Sequence, residues 1–168
     1  NKSSLPGDVS SAAFLMAASV LLPNSNMTLL RVGLNPTRTA VLDVFRSMGT
    51  KLIVENESTQ AGEPVGDVTV LPSGISPRID LCGPVVASLI DEIPILAVVA
   101  AVAKGSFRLR DAAELREKES DRIAAIVGNL RAMGVEVEES EDGFAFETRK
   151  TLIGTAVSRQ TFFNISKL

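Results

Sequence analysis

The chain contains no histidine, no tryptophan and no tyrosine, and its single cysteine is Cys82. Without imidazole there is no Ser-His-Asp triad, no histidine general base and none of the commonest metal ligand. Any proton transfer falls to Asp, Glu or Lys, with pKa values set by burial and neighbours. One thiol excludes an internal disulfide and a cysteine zinc cluster and suits a reducing compartment, so a cytoplasmic location is expected. Aromatic stacking on bases or sugars would rest on seven Phe residues. With a formal charge of −3, nucleic acid is not an expected partner. Long apolar runs are also missing. The longest, Ile93 to Ala103, is bounded by Glu92 and Lys104 and is too short to span a bilayer, so no membrane role is expected. No charged-then-apolar leader opens the chain, and secretion is not expected either.

What is present is 168 residues, 45% hydrophobic and 22% charged, enough for a globular protein with a real core. An internal repeat organises them. Arg46-Ser-Met-Gly49 recurs as Arg131-Ala-Met-Gly134, 85 residues later. Asp8 and Asp91 each precede an apolar helical stretch at an offset of 83, and Ala17-Ala18 falls on Ala100-Ala101 at the same offset. Ordered self-similarity signals repeated supersecondary units.

Each unit reads helix, strand, helix, strand, strand. In the first, residues 9–22 are apolar nearly all round, which predicts a buried helix, and residues 27–32 a strand. Asn35 and Pro36 read as N-cap and first turn of a helix that ends at Gly49. Alternation predicts strands over 51–55 and 67–71. The second unit predicts a buried helix at 92–104, a strand at 106–110, a helix at about 120–133 and a hairpin turning at Asp142-Gly143. Arg78 and Cys82 fall in an ambiguous loop, read as a surface guanidinium and a buried thiol. Gly62 to Gly66 has no phosphate-loop signature and is assigned no role.

Two places carry candidate chemistry. Leu115 to Ile123 packs three acids and three bases onto what reads as the entry of one amphipathic helix. Lys118 and Arg122, four apart, would share a face. They crowd the end where the peptide dipole is already positive, a docking point for carboxylate or phosphate. Glu119 sits between them as a proton carrier. On charge alone the same stretch reads first as a solvated helix start. Asp91 is the second place: either a helix N-cap, or a partly desolvated carboxylate suited to act as a general base.

Four ordered motifs then resemble a known family. Pro6-Gly-Asp-Val-Ser-Ser-Ala-Ala-Phe14, Gly33-Leu-Asn-Pro-Thr-Arg-Thr39, Leu89-Ile-Asp-Glu-Ile-Pro-Ile-Leu-Ala97 and Glu114-Leu-Arg-Glu-Lys-Glu-Ser-Asp-Arg-Ile123 are similar to the C-terminal half of the bacterial 5-enolpyruvylshikimate-3-phosphate synthases (3-phosphoshikimate 1-carboxyvinyltransferases). The resemblance covers roughly residues 5–148. It implies an α/β fold of repeated βαβαββ units, the enolpyruvyl transferase fold, with two of the usual three units of one domain at about 5–72 and 80–148. Residues 149–168 stand apart as a basic tail, with four cations and no acid, poorly specified or ordered only against a partner surface.

The resemblance further implies transfer of the enolpyruvyl group of phosphoenolpyruvate to the 5-hydroxyl of shikimate 3-phosphate, with neither metal nor organic cofactor. Asp91 falls on the general base, Lys118 on a lysine that contacts the reacting hydroxyl, Glu119 on the carboxylate that serves the methylene carbon, and Arg122 on the arginine that grips the phosphoenolpyruvate carboxylate. The family also carries an earlier domain with phosphate-binding serines, and a last unit with a Gly-Asp-His-Arg segment and a late Lys. A chain without histidine lacks that segment, so the expectation is a fragment inactive alone. Two alternatives stand beside it: a fragment of the sister transferase acting on UDP-N-acetylglucosamine, and a non-catalytic module that self-associates as a homo-oligomer through the face a missing unit exposes.

Overall fold

A computed structural model of the chain describes residues 6–71, 73–118 and 120–154. It divides into two compact α/β units, Asn1–Ser76 and Pro77–Leu168.

In the first unit, helix α1 (Val9–Leu21) opens on Asp8, whose carboxylate accepts from the Ser11 backbone and hydroxyl at 2.8 Å. One face, Val9, Ala12, Ala13, Met16 and Ala17, is buried, whereas Leu15 is 50% exposed. The helix is therefore half-buried, with Val9, Met16 and three alanines forming the packing ridge. Strand β1 (Met27–Gly33), helix α2 (Ala40–Ser47) and strands β2 (Lys51–Gln60) and β3 (Glu63–Leu71) follow. The sheet order is β1-β3-β2, antiparallel throughout. Gly7 bridges Val32 in parallel, where the repeat calls for a first strand.

Two expectations need correcting here. Asn35 does not cap α2: its side chain closes a turn onto Thr37, and the helix begins only at Ala40 after Thr39. The segment 62–66 does have a role. Ala61-Gly62 turns the β2–β3 hairpin, and Gly66 lies where a Cβ would meet Leu34 Cδ1 at 2.7 Å. Central-strand Asp67 pins a bulge on each side, accepting from the Arg31 amide and from Asn56 Nδ2, both at 2.8 Å. Arg31 and Asn56 both have positive φ, and that carboxylate holds them there.

The second unit runs β4 (Arg78–Leu81), α3 (Pro84–Ser88), α4 (Ile93–Val102), β5 (Ser106–Leu109), a 3₁₀ turn (Ala113–Arg116), α5 (Arg122–Ala132), β6 (Val137–Ser140) and β7 (Gly143–Glu147). Its sheet order is β4-β5-β7-β6, with β4 parallel to β5 and the rest antiparallel. Arg78 and Cys82 are thus not in one loop: Arg78 starts β4, and Cys82 follows it as an exposed, not buried, thiol.

Helix α4 is buried nearly all round, as its composition predicts. Phe107, Phe144 and Phe146 stack with centroids 5.3, 5.8 and 6.5 Å apart. Burying side chains of this size contributes roughly 1.5–3 kcal/mol each. Of the basic tail, residues 149–154 are described: Ile153 donates its amide to the Met133 carbonyl at 2.9 Å, at the end of α5. Residues 155–168 lie outside the described set, as does Glu119.

Candidate functional site

Burial registers the two units against each other. Val9, Ala12, Ala13, Met16 and Ala17 correspond to Ile93, Leu96, Ala97, Ala100 and Ala101, all buried, at an offset of 84. The cap positions, Asp8 and Glu92, share that offset. The offset of 83 read from the acids and the alanine pairs is therefore one residue short. Asp91 lies one position outside the cap, in the turn before α4, and no longer serves the helix as Asp8 does. Glu92 takes the cap position without a side-chain cap bond and is buried.

Asp91 instead meets α5. Arg122 Nη1 lies 3.3 Å from Asp91 Oδ1, with the arginine side chain 23% exposed and the acid 55%. Asp8 and Arg38 form the corresponding pair in the first unit, at 3.8 Å. An arginine at the mouth of the second helix facing an acid at the mouth of the first is thus a property of the repeat. What differs is the acid's release from capping and the longer connection from β5 to α5.

That connection is not the helix the sequence suggests. Ala113–Arg116 forms a 3₁₀ turn anchored by fully buried Leu115, bends follow, and α5 starts at Arg122. Lys118 and Arg122 therefore do not share a helix face. Lys118 pairs with Glu114 at 2.8 Å. Asp121 caps α5 by accepting from the Ala124 amide at 2.9 Å. Of the residues expected at the site, Asp91 and Arg122 are brought into contact, Lys118 is tied to Glu114, and Glu119 lies outside the described residues.

Several residues that hold this loop escaped the sequence reading. Asp111, at positive φ, donates its amide to Asp142 Oδ2 and accepts the Gly83 amide, both at 2.8 Å. Ala112 donates to the Asp142 carbonyl at 2.8 Å. Gly143 must be glycine, since a Cβ there would run into the Leu109 carbonyl. Arg116 reaches Asp121, Glu139 and the carbonyls of Ser140 and Glu141. The Glu114–Lys118 spacing of four was a visible signal. The bonds to the hairpin turn had none.

Charge follows these contacts. Partial burial pushes the Asp121 carboxyl up, but the Ala124 amide and the Arg116 guanidinium outweigh it and hold it below the usual range. The Asp111 amide, then the Ser140 hydroxyl, do the same for Asp142. Among the described residues no group of three or more His, Cys, Asp or Glu side chains is placed to hold a metal ion. A concavity of about 730 Å³ on the sheet of the second unit is lined by Arg78, Asp80, Arg108, Glu138 and Glu147 among others, and by none of Asp91, Lys118 and Arg122. Its mixed charges, with Asp80 paired to Arg110 at 3.0 Å, mark a solvated sheet face.

A sequence model of EPSP synthase (3-phosphoshikimate 1-carboxyvinyltransferase) matches residues 1–160. The 3-phosphoshikimate 1-carboxyvinyltransferase of Salinibacter ruber is 50% identical over 156 residues, covering 92% of this chain and 36% of that protein. The protein of the same name from Bacillus subtilis is 43% identical over 152 residues, covering 90% and 35%. A solved EPSP synthase from Acinetobacter baumannii superposes with a TM-score of 0.80 at 40% identity, over 88% of this chain and 33% of that one. The chain spans about a third of the length of the relatives it matches.

Proposed function

The chain belongs to the EPSP synthase (3-phosphoshikimate 1-carboxyvinyltransferase) family, and from that premise we propose that it carries part of the site at which phosphoenolpyruvate gives its enolpyruvyl group to the 5-hydroxyl of shikimate 3-phosphate. In this reading Asp91 takes the hydroxyl proton as the oxygen bonds to C2 of phosphoenolpyruvate, and Lys118 stabilises charge on that oxygen. Glu119 delivers a proton to the methylene carbon and removes one again as the C2–phosphate bond breaks. Arg122 grips the carboxylate. The reaction balances in protons and electrons without any cofactor.

The observation that supports this best is the 3.3 Å contact between Asp91 and Arg122. The carboxylate of phosphoenolpyruvate is bonded directly to the carbon under attack. A base for the attacking hydroxyl and a grip for that carboxylate must therefore lie within a few ångströms of each other, and residues 31 positions apart in sequence do so here.

Titration calorimetry with each substrate tests the reading. At least one of the two anions is expected to bind weakly, and Arg122→Ala is expected to abolish phosphoenolpyruvate binding without loss of fold. No heat from either anion at millimolar concentration, or unchanged affinity in that variant, would remove the site. Among the described residues no helix is long and apolar enough to cross a membrane, and a single exposed cysteine fits a cytoplasmic setting.

A further inference from the structure

The stretch that carries Lys118 is closed at its base. Arg116 Nη1 and Asp121 Oδ2, five residues apart, meet at 2.7 Å. Nε of the same guanidinium donates to the Glu141 carbonyl at 2.6 Å, and Nη2 donates to the Ser140 carbonyl at 2.5 Å and to Glu139 Oε1 at 3.2 Å. Its side chain is 26% exposed, about half the value for Arg110 or Arg131. Only a planar fork with donors in fixed directions can meet the loop and the hairpin turn together, and a lysine cannot. On the far side of the clasp, the other Asp121 oxygen caps α5, whose first residue is Arg122.

Arg116 is not the sole tie in this region. Leu115 already anchors the turn, the Ala124 amide already has its cap, and backbone pairing already closes the β6–β7 hairpin. What the guanidinium adds is a fixed relation between that hairpin, the loop bearing Lys118 and the start of α5.

We propose that Arg116 is a positioning residue, a clasp that sets Lys118 and Arg122 in register with Asp91. The inference rests on the reading of Lys118 and Arg122 given above. Its test uses nuclear magnetic resonance of the ¹⁵N-arginine-labelled 168-residue chain, reading the Arg122 side-chain Nε–H without any ligand. Arg116→Ala is expected to move that signal toward the position of a free arginine. Its solvent exchange should rise on the order of tenfold, the effect of losing a charge-assisted hydrogen bond, while the core Phe signals stay in place. Asp121→Asn keeps a competent cap but weakens the clasp, so it should shift Arg122 in the same direction, and it decides the matter if Arg116→Ala fails to fold. Glu139→Gln leaves the Arg116–Asp121 bond and should leave Arg122 unmoved. An unchanged Arg122 signal in the clasp variants overturns the proposal, and so does an equal shift in Glu139→Gln. Phosphoenolpyruvate added to the unsubstituted chain reports separately: no response there sinks the substrate reading and leaves the clasp standing.

Discussion

Asp91 and Arg122 form an ion pair, so in the proposed site a substrate carboxylate would have to compete with an acid of the protein for the same guanidinium. An ion pair as exposed as this one contributes about 0–1 kcal/mol, which makes the competition mild. Replacing Asp91 with Asn should therefore raise phosphoenolpyruvate affinity by about two- to fivefold while removing the proposed base. Calorimetry on Asp91→Asn checks the affinity. Weaker binding in that variant would mean that Asp91 helps hold the anion rather than contending for its partner. The position of Asp91 sharpens the point. At the cap, as with Asp8, the carboxylate would be engaged by backbone N–H groups. One residue earlier it is released from that duty, and this shift was hidden in the sequence because either offset aligns plausible residues.

At the scale of elements, the segment 113–121 shows where local sequence stops being informative. Glu, Lys and Arg all favour helix, and a spacing of four between Lys118 and Arg122 invites a shared face. The tertiary bonds of Arg116 and Asp111 to the β6–β7 turn override that preference and leave a 3₁₀ turn and bends. The helix expected at about 120–133 was nevertheless legible, and α5 runs over Arg122–Ala132. Most strands and the buried helix α4 were readable because their apolar periods answer to a core within each unit, whereas the short β4 was missed. The loop was not readable, because its partners outside it are 23 to 31 residues away.

The same loop should be the acid-sensitive part of the unit. Asp142 has a carboxyl held below its usual range, first by the Asp111 amide. A carboxylate with a lowered folded pKa stabilises fully above its unfolded value, near 3.9, and loses that contribution as pH falls through the folded one. Hydrogen exchange at the Asp111 amide is therefore expected to accelerate below about pH 4, ahead of the amides of α4. Asp142→Asn, which retains an acceptor oxygen, should remove most of that pH dependence. An Asp111 amide that opens only together with α4 at every pH would show that the Asp142 bond does not govern the loop.

Over the whole molecule, four motifs and an internal repeat were enough to identify the family, yet the relatives matched are about three times as long as the aligned segment. That ratio bears on rate more than on fold. Joining two anions requires both to be held in attack geometry with water excluded, and misplacement by about 1 Å can cost a hundredfold. In the proposed site the described residues would supply one guanidinium, one lysine and one candidate base, against two substrates that together carry two phosphates and two carboxylates. Charge of that density needs more cations than Lys118 and Arg122 provide. A steady-state assay of the 168-residue chain by itself should thus give turnover at least about a hundredfold below that of a full-length member of the family. Turnover approaching the full-length rate would mean that these residues hold and screen both anions unaided, and the assignment of Asp91, Lys118 and Arg122 to only part of a larger site would have to be abandoned.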